Sequence, residues 1–252
     1  MRRRSFLTLA GVTACAPVAS ALARALKAEP APNAITARRL ALVVDSRKCV
    51  KKEGCQACTQ ACHAGHNVPT MPEPRHAVKW IWKEPYELVF PDEVTPYTEA
   101  ALKTRPMMVL CNHCDNPPCV RVCPTQATWK RRDGLVMMDE HRCIGCRYCV
   151  TACPYGSRSF NWRDPRPFIP AENREFPTRT RGVVEKCNFC AERLAVGKTP
   201  LCVEACERIQ CGALTFGDAG DPNSAVAALL RANNVVRRRP NLGTAPHVFY
   251  IL

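Results

Sequence analysis

The 252-residue chain contains no run of 18 or more apolar residues, so it encodes no ordinary membrane-spanning helix. Acid is scarce: 22 Asp and Glu stand against 36 Lys and Arg, a formal charge of +14. Glycine is scarce as well, at 12 residues, and charged residues make up only 23%. That composition excludes a collagen-like chain and wholesale disorder. Signatures of catalysis are also missing. There is no nucleophile triad, phosphate-binding loop, HExxH or paired-carboxylate motif, which leaves little room for a reductase acting alone. The basic run Arg237–Arg239 has no accompanying nucleic-acid motif and reads as a solvated or partner-facing patch. The length, with 46% apolar residues, suits one or two domains with a real core.

The sequence is rich in cysteine, with 18 residues. Cys15 lies in the opening segment MRRRSFLTLAGVTACAPVASALARALKA, where Arg3 and Arg4 precede an Ala-rich apolar stretch and Ala-x-Ala-like sites. This resembles a twin-arginine export signal, a route that carries folded proteins. Residues 1–28 are read as that signal, and 29–39 as a linker. Cys15 is then lost with the signal, although VTAC loosely matches a lipoprotein box.

Sixteen of the remaining 17 cysteines form four groups of four. Group one is Cys49, Cys55, Cys58 and Cys62; group two is Cys111, Cys114, Cys119 and Cys123. Group three is Cys143, Cys146, Cys149 and Cys153; group four is Cys187, Cys190, Cys202 and Cys206. Every group ends C-x3-C. Group three, C-x2-C-x2-C-x3-C followed by Pro154, is the bacterial ferredoxin pattern for a [4Fe–4S] cluster. Three closely spaced thiolates wrap one cluster, and the fourth completes its neighbour. Structural disulfides do not call for cysteines two residues apart, so a disulfide-rich secreted protein is the weaker reading. Zinc ribbons lack the third cysteine, and haem attachment needs C-x-x-C-H, which is absent.

Around these groups, LALVVD (40–45), HAVKWIW (76–82), PMMVLC (106–111), ALTFGD (213–218) and PHVFYIL (246–252) read as strands. ATWKRRDGLVMMD (127–139) reads as a hairpin turning at Asp133–Gly134. Asp221 and Pro222 are predicted to cap and start a helix through the following Ala/Leu run. Groups two and three are close enough for one module, and groups one and four flank it. The predicted fold is α+β, with two nested ferredoxin-like two-cluster modules and long loop insertions. The inner module spans 111–181, the outer one 40–110 and 182–220, and residues 221–252 add a helix and a strand.

The stretches CHAGHNVP (62–69), LCNHCDNPPCVRVCPTQAT (110–128), MMDEHRCIGCRYCVTACPYGSRSFNWRDPRPF (137–168) and TRTRGVVEKCNFCAERL (178–194) carry a family resemblance. The sequence is similar to the four-cluster ferredoxin subunits of membrane-linked respiratory complexes, including those of molybdopterin reductases. FNWRDPRPF and VVEKCNFC make it most similar to the DsrO type of the DsrMKJOP complexes of sulfur metabolism. The resemblance implies a periplasmic electron carrier with four [4Fe–4S] clusters. It also implies an integral membrane partner that exchanges electrons with quinone, and in the DsrO case a multihaem cytochrome c.

The resemblance further implies four sites. Site A takes Cys49, Cys55, Cys58 and Cys206; site B takes Cys187, Cys190, Cys202 and Cys62. Site C takes Cys111, Cys114, Cys119 and Cys153; site D takes Cys143, Cys146, Cys149 and Cys123. The x5 gap after Cys49 and the ERIQC insertion leave Cys211 as an alternative to Cys206. Arg121, Arg142, Arg147, Arg158 and Lys186 are placed to favour reduced clusters or simply to face solvent. His63, His66, His113 and His141 are read as hydrogen-bonding residues. Trp80, Trp82, Trp129, Tyr148, Tyr155, Phe160 and Trp162 are read as core that shields the clusters.

Removing residues 1–28 takes the charge from +14 to +9. An oxidised cluster with four thiolates carries −2, so four of them bring the protein to about +1. The basic excess is then mostly counter-charge, which removes the case for nucleic acid.

Overall fold

The structure is a computed structural model that describes residues 39–252, so the signal segment, Cys15 and most of the linker lie outside the described residues. Strand β1 (Leu40–Asp45) is the centre of a three-stranded sheet. It pairs antiparallel with β8 (Leu214–Asp218), Leu40 opposite Asp218, and parallel with β9 (Val248–Ile251), Leu42 opposite Val248. All six residues of β1 are buried; the apolar run Leu40–Val44 suits a strand covered on both faces, and Asp45 ends it. The two-residue period divides them. Leu40, Leu42 and Val44 enter the main core, whereas Ala41 and Val43 meet Val226 and Ile251 on the other face.

Three two-stranded ribbons complete the β structure. β2 (Ile81–Pro85) pairs with β3 (Pro106–Leu110), β4 (Thr128–Lys130) with β5 (Val136–Met138), and β6 (Ser159–Phe160) with β7 (Val184–Glu185), all antiparallel. The β4–β5 hairpin turns at Gly134 with φ +88°, where a Cβ would strike the Arg39 guanidinium. The strand expected at 76–82 begins only at Ile81. Pro74 starts a 3-10 turn that carries the backbone to His76.

Five helices matter here: α1 (Ala57–Gly65), α2 (Pro118–Arg121), α3 (Tyr148–Ala152), α4 (Leu201–Arg208) and α5 (Ala225–Ala232). α1 packs on α4, and α2 packs on α3. Helix α5 is capped by Ser224, whose Oγ accepts from the Ala227 N–H at 3.0 Å. The predicted cap Asp221 instead accepts from the Asn223 N–H in the preceding turn. No described helix is long and apolar enough to cross a membrane.

Two expectations about arginines need correction. Arg39 is not linker: its Nε is 2.9 Å from Asp115 and its Nη2 donates to the His113 carbonyl at 2.7 Å. Arg237–Arg239 is not a uniformly solvated patch. Arg238 is 2% exposed, lies over the Tyr155 ring and faces Glu84, while Arg239 donates to the Pro154 carbonyl.

Candidate metal centre

The second half of each cysteine group is built on a helix. C-x3-C puts two sulfurs one helical turn apart on one face. α1 carries Cys58 and Cys62, and α4 carries Cys202 and Cys206. α2 and α3 carry Cys119 and Cys149, with Cys123 and Cys153 just beyond their last turns. The first half of a group is a tight loop. In three C-x2-C loops the residue before the second cysteine is left-handed: His113 (φ +42°), Gly145 (φ +71°) and Phe189 (φ +56°). Such a residue curls the loop so that sulfurs and N–H groups converge. Only Gly145 adopts it freely; a Cβ there would also lie 2.5 Å from the Gly182 carbonyl oxygen. His113 and Phe189 stack on each other with centroids 3.8 Å apart, and this packing holds both in a conformation that costs about 1–2 kcal/mol per residue.

The structure draws these cysteines together from distant segments. Cys111, Cys114, Cys119 and Cys153 line one small cavity, with Arg158 and Tyr155 in its wall. Cys49, Cys55, Cys58 and Cys206 line another, together with Cys211 and Lys83. The strongest electrostatic neighbours of Cys62 are Cys187, Cys202 and Cys190. Cys149 faces Cys119 and Cys143. Cys123 and Cys146 are half-buried. All seventeen described cysteines are free thiols, as metal ligation requires and a disulfide scaffold does not.

Burial sets the chemistry of these sulfurs. It pushes the Cys49 thiol up to about 11, and Cys114 and Cys187 up to about 12; neighbouring thiolates add to the effect. Cys62 and Cys202, fully buried, are raised further for the same reasons. Such thiols ionise only when a cation compensates them, and several buried thiolates converging on one cavity suit an iron cluster. Hydrogen bonds to sulfur are already in place. The Phe189 N–H donates to Cys187 and the Leu201 N–H to Cys190, each at 3.4 Å. Cys123 is the exception in direction: burial raises it, but donors from Thr128, Thr125 and Ala127 outweigh burial and lower it.

Two of the basic residues noted beside ligands are buried against them. Arg158, 4% exposed, donates from Nη2 to Cys119 Sγ at 3.2 Å and to Thr128 Oγ1 at 2.7 Å. Burial works against its charge, but Cys119, Cys149 and Cys111 outweigh it and hold the guanidinium firmly protonated. Lys186, 2% exposed, donates to the carbonyls of Val136 and Cys187. Arg121 and Arg142 are exposed, and Arg147 stacks over Trp162 at 4.7 Å.

The histidines hydrogen-bond as expected. His63 Nε2 pairs with the Ile81 carbonyl, His113 Nδ1 accepts from the Val136 N–H, and His66 bridges the Cys62 carbonyl and Glu192. His141 instead stands in solvent beside Asp139. The core position expected of the aromatics holds for Trp80 and Tyr155, and in part for Trp82, which packs on the core. It fails for Tyr148, Trp162 and Trp129, which are 64%, 46% and 39% exposed. Tyr148 starts α3 on its solvent side, and Trp162 forms an outer stack with Phe160 and Arg147.

A buried network was not visible in the sequence. Glu185, fully buried, accepts from Trp80 Nε1 (2.8 Å), Asn161 Nδ2 (2.6 Å) and Arg179 Nε (2.8 Å). Arg179 also donates to the carbonyls of His66 and Asn67, tying the loop after α1 to β7. No local pattern announces a pairing between residues 105 apart such as Trp80 and Glu185.

The 4Fe-4S dicluster domain family matches residues 104–166, the span that holds groups two and three. The Hdr-like menaquinol oxidoreductase iron-sulfur subunit 1 of Archaeoglobus fulgidus is 44% identical, over 99% of this chain and 97% of its own length. The protein belongs to this family of ferredoxin-type iron–sulfur subunits of respiratory oxidoreductases. A tetrathionate reductase subunit of Salmonella typhimurium is 37% identical over 84% of this chain and 72% of its own length. A polysulfide reductase polypeptide of Wolinella succinogenes is 33% identical over 85% and 95%. The work of this iron–sulfur subunit is electron transfer.

Proposed function

We propose that the protein is a linear relay of four [4Fe–4S] clusters, held at sites A to D by the sixteen cysteines in the sets that the sequence implies, in two nested two-cluster modules. The observation that carries this reading is the order of contact between sets. Cys58 of site A neighbours Cys62 and Cys202 of site B. Cys187 of site B neighbours Cys111 of site C, and Cys119 of site C neighbours Cys149 of site D. Successive sites therefore lie near one another, in the order A, B, C, D. The packing of α1 on α4 and of α2 on α3 supports the nesting. Each cluster, when bound, takes and passes on one electron. The protein supplies the thiolates, excludes water with Trp80, Tyr155 and Phe189, and places Arg158 and Lys186 where added negative charge needs compensation.

In this reading the protein is exported by the twin-arginine route and works at the periplasmic face of the membrane, attached through its partners. An integral membrane subunit would exchange electrons with quinone. The Archaeoglobus relative is named as part of a menaquinol oxidoreductase and the Wolinella relative as part of a polysulfide reductase, and both support such a partner. The DsrO type of sulfur metabolism, with a multihaem cytochrome c, is favoured by FNWRDPRPF and VVEKCNFC. A molybdopterin reductase subunit is the second reading, supported by the likeness to the tetrathionate reductase subunit.

Anaerobic purification from the native membrane, with identification of the co-purifying subunits, separates the two. A quinone-linked membrane subunit with a multihaem cytochrome supports the DsrO type, and a large molybdopterin subunit supports the second. Copurification with neither would remove the respiratory-complex reading.

A further inference from the structure

Site A has five cysteines in its wall, one more than a cubane needs: Cys49, Cys55, Cys58, Cys206 and Cys211. The fifth is put there by the end of α4. Gln210 is left-handed (φ +56°), its N–H donates to the Glu207 carbonyl at 2.7 Å, and the Cys211 N–H donates to the Cys206 carbonyl at 3.0 Å. These are the two hydrogen bonds of a Schellman cap, and they fold Cys211 back over the last turn of the helix. Glycine is the residue that adopts the left-handed position freely; Gln210 holds it under strain. Gly212, also left-handed (φ +58°), then releases the backbone toward β8.

The side chain points the same way as the backbone. Cys206 is the sulfur that acts most strongly on Cys211 and lies within its hydrogen-bonding reach, with Cys55 a weaker neighbour. Cys211 is in turn among the electrostatic neighbours of Cys49. Its thiol also meets the Lys48 carbonyl, at 3.8 Å, and the Ala213 backbone N–H. Cys206, 6% exposed, is fixed on α4 one turn from Cys202, whereas Cys211 is half-exposed on the cap.

We propose that site A is a five-cysteine site, in which Cys206 is the resting ligand and Cys211 is a reserve ligand that replaces it. The proposal rests on reading this cavity as a cluster site. In the exchange the Cys211 sulfur gives up its proton as it bonds iron, and the Cys206 sulfur takes up a proton as its bond to iron breaks. No electron is gained or lost. Site A then keeps its cluster when Cys206 is displaced or chemically damaged, a route that none of the other described sites shares.

The test compares Cys206→Ala, Cys211→Ala and the double variant, purified without oxygen, by iron and acid-labile sulfide per polypeptide and by EPR. Cys58→Ala is the control for losing a ligand with no reserve. Each single variant at 206 or 211 is expected to keep the wild-type iron content, with the spectrum of one cluster altered in Cys206→Ala. The double variant and Cys58→Ala should each lose iron or show a three-iron signal when oxidised. Iron loss in Cys206→Ala equal to that in the double variant would overturn the reserve role. Failure of Cys206→Ala to accumulate, when Cys211→Ala does, has the same force. Iron loss in Cys211→Ala alone would make it the resting ligand and overturn the assignment. An unaltered double variant, still holding wild-type iron, would show instead that the cavity is not a cluster site.

Discussion

Arg158 shows what a single residue contributes to this relay. Its guanidinium is out of water and bonded to Cys119, with Cys149 and Cys111 close by, so it faces the ligands of two sites at once. A fixed positive charge in a poorly screened setting favours whichever state carries more negative charge, which is the reduced cluster. Arg158→Gln should therefore lower the midpoint potential of the cluster at site C. A change of about tenfold in the equilibrium, roughly 59 mV for one electron, is the expected scale. Redox titration followed by EPR measures it. Arg121→Gln, at an exposed position, should leave the potentials nearly unchanged because solvent screens it. Equal shifts in both variants would contradict this role for Arg158. The cysteine groups were legible in the sequence because cluster binding imposes short, fixed spacings on one stretch of backbone. Arg158 could not be told from Arg121 there, because adjacency to a cysteine does not say which side of the loop a long side chain takes.

Elements were legible in proportion to how local their causes are. The β4–β5 hairpin needs only Asp133–Gly134 and two short strands, and β1 needs only five consecutive apolar residues before Asp45; both form where the sequence places them. The β6–β7 ribbon has two residues on each strand and joins segments about 25 residues apart, with Ser159 and Phe160 opposite Glu185 and Val184. No periodicity can show in so short an element. Its stability comes from the Glu185 network, which supports a sharp prediction. Glu185→Ala strands Arg179 in a buried site and should cost about 3–5 kcal/mol, seen as a large fall in anaerobic thermal stability. A loss below about 1 kcal/mol would mean that Arg179 finds another partner. Helix α5 was also foreseen, but its first residue was misplaced. Asp221-Pro222 suits a turn as well as a cap, and the Ser224 hydroxyl is the group in line with the Ala227 N–H. Ser224→Ala should cost about 1 kcal/mol in the same assay, and Asp221→Ala less.

On the scale of the whole molecule, the cluster sites and the apolar core are one structure. Cys62, Cys111, Cys187, Cys202 and Cys206 belong to the same buried group of side chains as Leu42, Trp80, Leu110 and Tyr250. Buried thiols raised by desolvation make iron binding and folding a coupled equilibrium. Removing iron with a chelator should lower the thermal midpoint and open the cysteine loops, read as new thiol reactivity at Cys187 and Cys202. The C-terminal strand was legible as a strand, but its place beside β1 was not. Parallel pairing of segments some 200 residues apart leaves no trace in local sequence.

The proposed relay requires four sets of four thiolates, each holding a four-iron cluster. The most direct measurement is iron and acid-labile sulfide per polypeptide in anaerobically purified protein, with EPR spectra of the reduced state. The expected result is about sixteen of each, with four [4Fe–4S] signals that couple magnetically because successive sites lie near one another. An iron-free protein, or one holding only the two clusters of groups two and three, would contradict it.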